Sequence, residues 1–131
     1  MKIKLTDGTE LNALGVHGRT INYQGVQRDS LIFLFDPQAI TLEQVCTAFV
    51  AENCQSITIE DSSGTYIHEN YTIRVEVGCG YKDMALTGGV GNDMTQCVYV
   101  RMAQSTLAER EIQQQQEIID MLLVAALETE G

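Results

Sequence analysis

The chain has 131 residues, of which 44 % are hydrophobic, with one proline, no tryptophan and a formal net charge of −10. That length suits one domain with a modest core, and the acidic balance speaks against a nucleic-acid partner, whose phosphates are gripped by clustered Lys and Arg. The start MKIKLTDG lacks a secretory h-region and no apolar run approaches the roughly 20 residues of a membrane span, so a soluble, cytoplasmically made protein with no membrane partner is expected.

The first segment, KIKLTDGTEL, alternates Ile3 and Leu5 with polar residues and then meets Asp7-Gly8. This is a hairpin signal, with a type I′ turn expected at Asp-Gly. Gly15 and Gly18 mark a glycine-rich stretch holding His17 in a turn, and RTINYQG suggests a short strand through Ile21 and Tyr23. DSLIFLFDP carries five consecutive apolar residues, which predicts a strand buried on both faces, ended by Asp36-Pro37.

TLEQVCTAFVAEN predicts a short helix over about 41–52. Thr41 and Gln44 form a capping box. Leu42, Val45, Cys46 and Phe49 make its apolar face, and Asn53 is placed to close it. Strands are expected in QSITIED, in TYIHEN after the Ser62-Ser63-Gly64 turn, in YTIRVEV and in CVYVRM. In YTIRVEV the alternation puts Tyr71, Ile73, Val75 and Val77 on one face; in CVYVRM, Val98, Val100 and Met102 point inward. Between these two lies a glycine-rich loop over 78–96, with Gly78, Gly80, Gly88, Gly89 and Gly91 but neither phosphate-loop spacing. The fold class is therefore α+β, a mainly antiparallel body over residues 1–103 followed by a helical segment over 104–131.

That final segment is the most distinctive. Seven Lys and Arg stand against twelve Asp and Glu through Ala103, and one against six beyond it, so each part carries −5 and the short tail is the more acidic per residue. A helix over about 106–128 is expected to start at a second capping box, Thr106 to Glu109. Ala108, Ile112, Gln115, Ile119, Leu122 and Ala126 then fall at alternating steps of four and three, a coiled-coil seam with Gln115 as a polar layer. Ile118, Met121 and Ala125 lie beside it. EREIQQQQE offers only Ile112 to a core, which disfavours folding back onto the body and favours self-association or a partner.

Chemistry-bearing residues are sparse. Cys46, Cys54, Cys79 and Cys97 include no C-x-x-C pair and read as packed thiols. His17 and His68 sit in no recognisable nucleophile–base pattern. No catalytic residue, metal site or cofactor site is expected. Tyr66, Tyr71, Tyr81 and Tyr99 leave a second possibility, a small ligand- or carbohydrate-binding β-domain that oligomerises.

In their order, KIKLTDGTEL, QRDSLIFLFD, LEQVCTAF followed by NCQSITI, YIHENYTIRVEV and VYVRMAQSTLAE resemble small proteins encoded in the tail and baseplate gene clusters of phages and prophages of Gram-positive bacteria. The resemblance spans nearly the whole chain. It implies a β-rich head with a C-terminal helix and a non-enzymatic structural role in a virion tail, reached after cytoplasmic synthesis. It implies partners that are copies of the chain or a neighbouring tail protein, and the Ala, Gln, Ile and Leu of the seam leave dimer and trimer both open. It brings no catalytic residues. The segment before the last strand departs from the family pattern, being glycine-rich here rather than rich in Pro, Thr and Val.

Overall fold

A computed structural model describes residues 1–82 and 95–129, with side chains in the last helix described to Leu123. The fold is α+β, with two four-stranded antiparallel sheets, a short helix and a long C-terminal helix. The first sheet joins β1 (Lys2–Lys4), β2 (Glu10–Asn12), β5 (Ser56–Asp61) and β6 (Gly64–Glu69) in the order β2-β1-β5-β6. The second joins β3 (Gly15–Tyr23), β4 (Val26–Phe35), β7 (Ile73–Tyr81) and β8 (Gln96–Ala103) in the order β3-β4-β8-β7. The chain changes sheets across Ala13 and Leu14, whose amides donate to the carbonyls of Met1, just before β1, and of Leu34 in β4.

Both sheets and helix α1 (Leu42–Ala48) feed one core. Ile3, Ile57 and Ile59 come from the first sheet, Leu31, Phe33, Phe35, Val98, Val100 and Met102 from the second, and Val45 from α1. Phe49, which caps α1, is fully buried with its ring centroid 5.0 Å from that of Phe33 and 5.8 Å from that of Phe35. The apolar run in β4 is buried on both faces as its sequence predicts. Leu31, Phe33 and Phe35 enter the main core, while Ile32 and Leu34 form a second cluster with Cys97 beneath Tyr99. The Tyr99 ring lies close over Gly78, where an added Cβ would stand 3.0 Å from the phenolic oxygen. Burial pushes the Tyr99 hydroxyl above its ordinary range.

Several local expectations change. The β1–β2 hairpin forms, but its turn is not type I′. Gly8 alone takes a positive φ, and the Asp7 carboxylate accepts the Thr9 amide at 3.0 Å. The two-residue turn with positive φ at both positions is instead Gln24-Gly25, between β3 and β4. His17 lies within β3, paired with Ile32, and not in a turn. Helix α1 stops at Ala48 and gives way to a 3-10 turn over Ala51–Cys54. Arg74 donates to the carbonyls of Cys46 and Phe49 at this end, and the Asn53 side chain donates through Nδ2 to the Ala48 carbonyl. Leu42, expected on the buried face of α1, is 38 % exposed. A β-bulge between Arg74 and Glu76 breaks the alternation of β7: Val77 pairs with Val100 and packs on the core, whereas Ile73 pairs with Ala103 in a row of the opposite sense. Gly78 and Gly80, expected in the glycine-rich loop, belong to β7, and Gly88, Gly89 and Gly91 lie outside the described residues.

Candidate assembly site at the C-terminal helix

The connection from β8 to helix α2 (Leu107–Thr129) is held by backbone. The Gln104 amide donates to Asp29 and the Ser105 amide to Asn70, both at 2.9 Å. Asn70 adopts φ +66°, a left-handed conformation that asparagine tolerates. The Gln104 side chain donates to the Glu69 carbonyl at 3.1 Å. These bonds tie the start of α2 to β4 and to the β6–β7 connection.

The expected capping box is present. The Glu109 amide donates to the Thr106 hydroxyl at 3.2 Å, and the Thr106 amide donates to the Glu109 carboxylate at 2.9 Å. That carboxylate has a second partner, Arg28 of β4. The Arg28 guanidinium donates from Nη2 to Oε2 at 2.8 Å and from Nη1 to Oε1. The same side chain donates to the carbonyls of Tyr23 and Gln104, each at 3.2 Å. Arg28 is 4 % exposed, so its charge is compensated chiefly by Glu109. The arginine and the Thr106 amide hold the Glu109 carboxyl down at about 2, and Glu109 in turn raises the Arg28 guanidinium.

Beyond this staple no described strand or helix packs along α2. From Glu111 to Leu123 every residue is exposed. Ile112 is 66 % exposed, Ile119 50 %, Leu122 65 % and Leu123 58 %. At 100° per residue, Ala108, Ile112, Gln115, Ile119 and Leu122 fall within an arc of roughly 80°. Ala108 and Gln115 are exposed along with the apolar members of this arc, and the side chain of Ala126 lies outside the described residues. Ile118 and Met121, at 57 % and 72 % exposure, widen the apolar surface on one side. Gln116 and Asp120 form a hydrogen bond of 3.2 Å on the other side.

Two contributors escaped the sequence reading. Leu123, four residues past Ile119, extends the seam and was signalled by that spacing. Arg28 is separated from Glu109 by 81 residues, and nothing in QRDS marks it as an anchor.

Other candidate chemistry is dispersed. All four cysteines are thiols, and Cys54 is buried deeply enough that its thiol is pushed up to about 12, leaving it protonated and packed. His68 stacks edge-on against Tyr71, ring centroids 5.7 Å apart. Tyr66 and Tyr81 are exposed but stand on different sheets, while Tyr71 is buried. Among the described residues no group of three His, Cys, Asp or Glu could hold a metal ion. No described helix is long and apolar enough to cross a membrane.

Compared with protein-family models, with curated proteins and with solved structures, the chain matches none.

Proposed function

We infer that the chain is a non-enzymatic structural component that assembles through α2, as a phage or prophage tail or baseplate part would. The observation that carries this reading is a helix anchored at its first turn, with every described side chain from Glu111 to Leu123 exposed and the apolar seam residues among them in water. Ile112, Ile119 and Leu122 are each at least half exposed. A free helix seldom stays ordered with such a stripe unpaired, because most helical stability comes from packing an apolar face. Copies of the chain, or a neighbouring tail protein, would supply that packing. The β-rich body then serves as the rigid module being assembled.

The test uses positions exposed in the single chain, so the body is not disturbed. Ile119→Asp combined with Leu122→Asp should convert an oligomer, measured by light scattering, to a monomer with an unchanged β-sheet circular dichroism signal. An unaltered particle mass would remove α2 from assembly. The virion assignment has its own check, mass spectrometry of purified particles, and absence of the chain there would end it.

A further inference from the structure

We propose that α2 pairs with a second copy of itself in parallel and in register, so that both bodies stand at the same end of the bundle. This rests on the assembly reading above and adds its orientation.

Written as heptads, Ile112 and Ile119 take the a positions, and Ala108, Gln115 and Leu122 the d positions. Glu109, Gln116 and Leu123 are at e, Glu111 and Ile118 at g. In a parallel pair each layer meets itself, and each g faces the e of the following heptad on the second copy. Gln115 then meets the same residue of the second copy, and the two amides bond to each other. Glu111 faces Gln116, and Ile118 faces Leu123. Polar meets polar near the body, and apolar meets apolar farther along.

An antiparallel pair centred on the same seam sets Gln115 of each copy against Ile119 of the other. The amide would be buried on an apolar layer without a partner. It also sets Glu109, already held by Arg28 and Thr106, against Leu123.

Charge fits a second copy despite the overall −10. Glu117 and Asp120 fall at the outward f and b positions, and no described g–e contact of the parallel pair opposes two acids. The staple leaves room as well. Glu109 lies roughly 100° around the axis from the midline of the seam, so each body sits beside the seam and not across it.

Disulfide trapping in the full chain tests the orientation, with the two solvent-reachable thiols removed as Cys46→Ser and Cys79→Ser. Ala108→Cys and Leu122→Cys, each alone, should give about tenfold more covalent dimer in a glutathione buffer than Gln114→Cys, which points away from the seam. The centred antiparallel pair would separate two copies of residue 108 by about 27 Å along the axis and two copies of residue 122 by about 15 Å. Both distances are beyond disulfide reach. If neither variant exceeds the Gln114→Cys control while light scattering under reducing conditions still shows an oligomer, the parallel arrangement is overturned and assembly through α2 stands. Preferential cross-linking of a mixture of Ile112→Cys and Leu122→Cys chains would overturn it in favour of the antiparallel pair. A monomeric mass for the reduced, otherwise native chain would overturn assembly itself.

Discussion

Both helices start from a threonine whose hydroxyl accepts the third helical amide and whose own amide is taken by that residue's side chain, Gln44 in α1 and Glu109 in α2. From this shared beginning they diverge. The α1 segment buries Val45 and the adjoining Phe49 completely within one turn, whereas α2 buries no side chain from Glu111 to Leu123. A cap fixes where a helix begins but not what it packs against. The glutamine of α1 only caps. The glutamate of α2 also bears a charge, and that charge ties the helix to Arg28 in place of an apolar face.

The comparison can be broken first at α1. Phe49→Ala empties the space between Phe33 and Phe35 and should cost about 3–5 kcal/mol in chemical denaturation. A loss below 1 kcal/mol would mean that α1 is not part of the core. Next comes the staple. Arg28→Met leaves the carbonyls of Tyr23 and Gln104 without this donor and should cost roughly 2 kcal/mol. Faster amide exchange in the first turn of α2 should accompany it, and an unchanged exchange rate there would show that Arg28 does not anchor the helix. The caps give smaller effects. Thr41→Ala should lower global stability by about 1 kcal/mol, because α1 is integral to the core. Thr106→Ala should leave global stability nearly unchanged and speed exchange only at the start of α2. Equal global losses for the two would erase the distinction between the helices.

Acid gives the mildest perturbation. Glu109 is held at about 2 against an ordinary 4.5, so its folded form is depressed. The stabilisation of the anchor is present in full above 4.5, weakens below it and is lost as the pH falls through about 2. Because the Glu109 side chain is 38 % exposed, solvent screening keeps the effect small. Carbon-detected NMR titration should find its midpoint near 2. A midpoint at the ordinary value would mean that the carboxylate is not paired in solution.

Features built from near neighbours in sequence were readable in advance. The five-residue run of β4, the two capping boxes and the inward Val98, Val100 and Met102 all follow from spacing. Features set by distant partners were not. Gln24 takes φ +55° because the β3–β4 ladder, from the Gly15–Leu34 pair to the Tyr23–Val26 pair, demands a tight turn there, although glutamine is not a residue that favours one. The bulge in β7 permits Glu76 to reach Arg101 at 3.1 Å while Arg74 reaches the end of α1 on the opposite face. Strict alternation would have forbidden that pair of contacts. At the candidate site the seam was legible because it is periodic, while the Arg28 anchor was not, because it joins residues far apart in the chain.

The polar half of α2 also works as a ruler. A 23-residue helix is roughly 35 Å long at 1.5 Å per residue, and its most apolar sequence, from Ile118 to Leu127, begins about halfway along. In the assembly proposed above, the glutamine run sets how far the β-rich body stands from the most apolar part of the helix. Inserting one heptad would lengthen that spacing by about 10 Å and keep every seam residue in line, while inserting two residues would rotate Ile119 and Leu122 by about 200°, to the face opposite Ile112. On that proposal reach and adhesion are encoded in separate halves of the same helix, and either can change without redesign of the body.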